Sequence, residues 1–157
     1  MFSKNVVTLK TALIEFTHAE ETLIYVSSEK NAQSGDRTTM NPSIIDLLIY
    51  VPAKDFEMSK LFYAALGFEM TEGWGGTLDC RLGGASFRLQ NYYVRDWADN
   101  FMMRFGVEDV HAWYEHAKKV VAEGDFGNAR VSEPEMAGDT PILHVHDPSG
   151  VLLIFVG

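Results

Sequence analysis

The sequence predicts an α+β fold built from two successive βαβββ units, and three observations carry that prediction. A strand-then-helix pattern opens near residue 43, continues into short strands set off by glycine clusters, and then recurs. The recurrence has a fixed spacing, because Asp109 repeats the helix-capping position of Asp55 54 residues later, and self-similarity at one period marks a duplicated unit. The chain then closes on two apolar runs flanking Asp147-Pro148-Ser149-Gly150. Proline presets φ at the second turn position and glycine relieves the fourth, so a tight hairpin is expected there.

Residues 1–40 read as an N-terminal extension and linker. Thr11 to Thr17 and Thr22 to Ser27 fit two strands, yet Leu9, Leu13, Phe16 and Leu23 fit one helix equally well, and period alone does not separate the two. Ser27 to Thr39 is polar and turn-rich, which puts a domain boundary near Met40 and a single domain over 41–157.

The first unit opens with Ser43 to Val51, a β-rich run closed by Pro52, which cannot continue a central strand. Asp55 has the chemistry of an N-cap. Met58, Phe62, Ala65 and Leu66 then form the apolar stripe of a short helix that Gly67 ends. Phe68 to Thr71, Thr77 to Leu82 and Ala85 to Tyr93 follow as strands, with Gly73, Gly75 and Gly76 and then Gly83 and Gly84 supplying the reversals.

The second unit repeats the plan. Phe101 to Val107 is a strand, Asp109 a cap, and Val110, Trp113, Ala117 and Val120 hold helical spacing up to Gly124. Tyr114 belongs with Trp113 to this helix core. Val131, Ile142 to His146 and Val151 to Val156 supply the closing strands.

Composition bounds the function. A chain of 157 residues with 46% hydrophobic and 22% charged residues suits one folded domain with a real core. Its formal net charge of −9 repels phosphate backbones and anionic headgroups, so nucleic acid and membrane surfaces are not expected partners. Cys80 is the only cysteine, which rules out an intrachain disulfide and reads as a small buried hydrophobe. No signal peptide or run long enough to span a bilayer is evident, so a soluble cytoplasmic protein is expected. Phosphate-cradling loops, dinucleotide fingerprints and nucleophile elbows are absent.

Three segments carry a family resemblance. Tyr50 to Phe68, with Phe62-Tyr63 followed by Leu66-Gly67-Phe68, resembles the strand-helix opening of the vicinal oxygen chelate superfamily, the glyoxalase, bleomycin-resistance and extradiol dioxygenase group. Val107 to Tyr114 resembles its second-unit counterpart, and the terminal hairpin resembles its last two strands, so the likeness covers 41–157. The resemblance implies that the two units form a curled mixed sheet around a small-molecule cleft. It also implies a homodimer, since the bleomycin-resistance subgroup pairs subunits to complete its clefts.

Period-two alternation sorts the strand residues by face. Phe87 and Leu89, and Phe101, Met103 and Phe105, suit packing against helices. The opposite face would present Asp46, Leu48, Tyr50, Ser86, Arg88, Gln90, Met102, Arg104 and Ile154 to the cleft, an apolar wall with a few polar groups as small-molecule sites have. Metal-dependent members place a His or Glu on each of four strands. The matching positions here are Leu48 or Asp46, Arg88 or Gln90, Met102, and Ile154, which replaces a glutamate four residues after the turn glycine.

Divalent ions need carboxylate or imidazole donors, and a guanidinium repels them. The implied protein is therefore metal-independent, without a cofactor, binding a small amphipathic molecule whose anionic group meets Arg88 and Arg104. The alternative is a metal-dependent lyase, isomerase or dioxygenase with an unusual divalent-metal set drawn from Asp46, Gln90, His144 and His146. His144 and His146 on one strand share a face that zinc can use; the plainer reading is two hydrogen-bonded histidines beside a turn. Trp74 and Trp97 fall in loops at the cleft edges, where Trp97 could stack on a ligand or make a dimer contact. A third possibility is that residues 1–40 dock on a partner protein.

Overall fold

The computed structural model describes residues 44–157. The expected extension and linker over 1–40 lie outside the described residues. What is described follows the predicted order, with two sheets of mixed strand direction and few helices.

The first unit comprises β1 (Tyr50–Pro52), α1 (Phe56–Ala65), β2 (Glu69–Glu72), a 3-10 turn (Trp74–Gly76), β3 (Leu78–Leu82) and β4 (Ala85–Gln90). Its strands lie in the order β1-β4-β3-β2, with β1 parallel to β4 and the other pairs antiparallel. A four-residue helix α2 (Arg95–Ala98) connects to the second unit: β5 (Met102–Gly106), α3 (Val110–Glu123), β6 (Arg130–Val131), β7 (Glu135–Ala137), β8 (Thr140–His146) and β9 (Leu152–Val156). Its sheet runs β5-β9-β8-β6, with β5 parallel to β9 and β7 also paired to β8. Each unit thus repeats the same strand order, helix included.

Both caps form as their chemistry requires. The Asp55 carboxylate accepts from Met58 N–H and that of Asp109 from Ala112 N–H, each at 2.9 Å. After α1, Gly67 adopts φ 101°, the left-handed conformation that ends helices. The buried stripe of α1 is Ser59, Phe62, Tyr63 and Leu66 rather than the expected set, because Ala65 faces solvent and Met58 is half-buried. On α3 the buried set is Val110, Tyr114, Ala117 and Val120, with Trp113 half-buried but stacked on Phe155.

Three local expectations are corrected. Of the strand expected over 43–52, the described residues form only Tyr50–Pro52. Its partner β4 has six residues and begins at Ala85, so in a parallel register that aligns Tyr50 with Arg88 the residues before 47 overrun the sheet. β4 itself ends at Gln90 rather than Tyr93, where Ala53 N–H turns to the carbonyls of Gln90 and Tyr92. Neither β7 nor α2 was expected, since both are too short for a periodic signal.

One core joins the two units. Phe62, Tyr63, Phe68, Phe87 and Leu89 of the first continue into Met103, Leu143, Leu153 and Phe155 of the second, and ring contacts bridge from Phe68 to Phe105 at 6.1 Å. Buried polar groups lock the same seam. Tyr63 Oη donates to Asp147 at 2.9 Å, and Ser149 Oγ accepts from Lys54 N–H at 2.9 Å while sharing a 3.2 Å hydrogen bond with Ser59 Oγ. The terminal hairpin is therefore fastened to α1.

Candidate functional site

Strand pairing settles which residues share a face. In the first sheet Tyr50, Arg88, Asp79 and Thr71 form one row across β1, β4, β3 and β2. Their neighbours in sequence, Val51, Leu89, Phe87 and Cys80, are buried on the other side. In the second sheet Arg104, Ile154 and His144 form one open row, and Met102, Leu152, His146 and Arg130 another. Met103, Leu153 and Val145 face the core behind them.

The expected site residues accordingly fall in two sets. Tyr50, Ser86, Arg88 and Gln90 lie on the open face of the first sheet. Met102, Arg104 and Ile154 lie on that of the second. Asp46 and Leu48 belong to the extended segment ahead of β1, Asp46 exposed and Leu48 half-buried. Among the described residues no hydrogen bond or ion pair links one set to the other.

Arg88 is heavily engaged. Its guanidinium donates to Asp79 through Nε at 2.6 Å and Nη2 at 2.9 Å, and through Nη1 to Tyr50 Oη at 3.0 Å. The bidentate bond pulls the Asp79 carboxyl below its ordinary pKa, and Asp79, then Tyr50, hold Arg88 above its own. Gly73 backs this network: a Cβ there would sit 3.1 Å from Arg88 Nε and 3.3 Å from Asp79 Oδ1. Asp79 is the functional-face residue that sequence reading missed. The available signal was its position in β3 two residues from Arg81, on the alternation that faces Arg88, but cross-strand register was needed to use it.

Arg104 differs, since it makes no ion pair among the described residues. It borders a cleft of about 690 Å³ whose floor includes Phe68, Phe105, Trp113 and Phe155. These rings form a ladder, with Trp113 and Phe155 stacked at 4.6 Å and Phe105 and Phe155 at 5.2 Å. Gly83, Gly84 and Gly106 are also among its lining residues. Glu108 and Asp109 line it too, so an amphipathic molecule over the aromatic floor can hold its anionic end to Arg104 only on the side away from these carboxylates.

His144 and His146 do share a face, as expected of alternate strand positions. Their neighbours differ. His144 Nδ1 lies 3.4 Å from Glu135 Oε1, whereas His146 pairs in register with Arg130, and burial followed by that cation pushes its pKa down. Among the described residues no three His, Cys, Asp or Glu side chains gather closely enough to hold a metal ion. The four strand positions that the resemblance assigns to metal ligands carry Leu48 or Asp46, Arg88 or Gln90, Met102 and Ile154. That donor set does not fit a divalent ion. Trp74 and Trp97 are both exposed, and Cys80 is buried in β3 with its thiol pushed up to about 11 by burial.

No family model matches the sequence, and no curated protein is significantly similar to it. Solved structures do match. A bleomycin resistance determinant encoded on transposon Tn5 is 23% identical, with 72% of this chain and 97% of that one covered and a TM-score of 0.59. A bleomycin-binding protein from Streptomyces verticillus, solved with copper(II)-bleomycin, is 20% identical over 73% and 97% of the two chains, with a TM-score of 0.60. An antibiotic-binding protein from a Streptomyces species is 21% identical over 73% and 97%, with a TM-score of 0.58. At these identities the likeness is one of fold, and that fold is the bleomycin-resistance and glyoxalase architecture. No helix among the described residues is long and apolar enough to cross a membrane.

Proposed function

We propose that this chain, built on the bleomycin-resistance and glyoxalase fold, is a metal-independent protein that binds a small amphipathic molecule and works as a homodimer. The observation that carries the reading is Arg104, a cation without an ion-pair partner among the described residues, beside a cleft floored by Phe105, Trp113 and Phe155. The ligand is partly aromatic and carries an anionic group that meets Arg104; of the expected positions only Arg104 lines this cleft, while Tyr50, Arg88, Gln90, Met102 and Ile154 lie on the open sheet faces outside it. Fold neighbours described as binding bleomycin or an antibiotic support a small-molecule ligand.

Dimerisation is supported by what each unit leaves open. β1 and β5 end their sheets, so each has a free edge among the described residues, and Ile44, Ile45 and Leu47 ahead of β1 are 91%, 96% and 76% exposed. A second copy covers such surfaces at no cost in solubility.

The test is thermal stability with bleomycin and a panel of aromatic carboxylates, alongside elemental analysis of protein purified without a chelator. A compound that binds only the folded state raises the melting temperature. An aromatic carboxylate is expected to do so in the native protein, and the shift is expected to fall in Gly106→Val, which puts a side chain beside Arg104 at a position with ordinary φ, and to shrink in Arg104→Gln. Near-stoichiometric metal that is lost in His144→Ala or Asp46→Ala overturns the reading in favour of a metalloenzyme.

A further inference from the structure

We propose that a second cleft, at the seam between the two units, binds a small soluble phosphate ester through Lys54, Arg95 and Arg130. The cleft has a volume of about 830 Å³ and draws on four separate stretches of chain. Lys54 comes from the β1–α1 loop, Arg95 and Asp99 from the start and end of α2, Asn128 and Arg130 from the approach to β6, and His146 from the end of β8. It therefore exists only when both units are docked.

Its charge runs against the rest of the molecule. The chain carries a net charge of −9, yet this cleft gathers three cations around one carboxylate. That carboxylate, Asp99, is taken by Arg95, whose Nε lies 3.2 Å from Asp99 Oδ2. Lys54 and Arg130 make no ion pair among the described residues. Cations collected in a concave site and left unmatched focus a positive potential that draws in an anion.

The frame is built rather than loose. Lys54 is held by its backbone N–H on the buried hydroxyl of Ser149, which in turn meets Ser59. Arg130 is held by its strand register opposite His146. The backbone anchors of both cations are thus set while their charged ends stay free to close on a ligand, and phosphate, with several oxygens, suits several point donors at once.

The rest of the lining decides the class. Asn128 and Tyr93 offer polar contacts, and no ladder of stacked rings lines it as in the cleft beside Arg104. The volume exceeds that of inorganic phosphate and leaves room for the alcohol part of an ester. A polymer or an anionic bilayer would meet the repulsion of the whole acidic surface, which a small solute entering the cleft avoids. The row from Met102 through Leu152 ends at His146 and Arg130, so this cleft adjoins the open face of the second sheet but does not depend on what binds there.

His146 makes the proposal measurable. Burial, then Arg130 and His144 beside it, hold its pKa below the ordinary histidine value, and an anion seated next to Arg130 must push that pKa up. The full-length protein is titrated by NMR with glycerol 3-phosphate at constant ionic strength. The expected result is a rise of roughly one unit in the His146 pKa, saturation near or below millimolar ligand, and no movement of His111 or His116 on α3. Lys54→Gln, exposed and remote from the fold's core, is expected to weaken binding at least tenfold while its amide spectrum stays native. Equal movement of His146 with sodium chloride at matched ionic strength overturns the site. Unchanged affinity in both Lys54→Gln and Arg130→Gln overturns it too. A stronger response to citrate than to glycerol 3-phosphate overturns the phosphate class, and sedimentation of the protein with phosphatidic acid vesicles overturns the restriction to a soluble ligand.

Discussion

Asp147 is fully buried, and its surroundings pull its carboxyl in two directions. Burial raises the pKa, while hydrogen bonds from Val151 N–H, Tyr63 Oη and Ser149 N–H lower it, and burial prevails at about 6. The Tyr63 hydroxyl is held well above its ordinary value by the same burial and by the carboxylate it touches. An unfolded aspartate titrates near 3.9. Between about pH 4 and 6 the folded protein thus keeps a proton that the unfolded chain has released, so stability rises as pH falls through that window. About two pKa units correspond to an upper bound of roughly 3 kcal/mol. Urea unfolding at pH 7.5 and pH 5 is expected to give higher stability at pH 5, with the gain lost in Asp147→Asn, whose amide stays uncharged. A native protein that loses more stability than Asp147→Asn on going to pH 5 contradicts this account.

At the scale of single elements, the parts legible in the sequence are those decided within a few residues. Asp55 and Asp109 show as caps because the interaction spans three positions, and each carboxylate bonds the backbone where expected. Replacing either by alanine is expected to cost about 1 kcal/mol in denaturant unfolding, with the two losses adding because the caps lie on different helices. A null effect at both would mean that tertiary packing alone fixes the helix starts. The hairpin at Asp147 to Gly150 was legible for the same local reason, Gly150 adopting φ 98°. Strand ends were not, because a strand stops where its partner stops. Ser43 to Ile49 reads as strand from composition, yet β4 is too short to pair with its start. Faces were legible from alternation, which put Arg88, Met102, Arg104 and Ile154 opposite the core residues. Partners were not: nothing local announces that Asp79 takes the charge of Arg88, or that Glu135 approaches His144. The seam cleft was equally invisible, since its four cleft-forming stretches meet only through tertiary packing.

For the whole molecule, the decisive feature is an imbalance between the two sides of each sheet. The helix-facing sides merge into one core that runs from Phe62 to Phe155 and needs no further cover. The outer edges of β1 and β5 stay unpaired among the described residues, and the chain ahead of β1 holds Ile44, Ile45 and Leu47 in water. Full burial of one such side chain contributes about 1.5–3 kcal/mol, so three of them outweigh a tenfold change in association many times over, at about 1.4 kcal/mol per decade. If a second copy covers this segment, serine at all three positions is expected to raise the dimer dissociation constant at least tenfold in sedimentation experiments. The core is untouched by the change, so far-UV circular dichroism should be unaltered. The melting temperature of the native protein should rise with concentration, as it must when association stabilises the fold, and that dependence should flatten in the triple variant. A native protein that sediments as a monomer at high micromolar concentration would remove the second copy from the account, and the exposed isoleucines would then need a different partner.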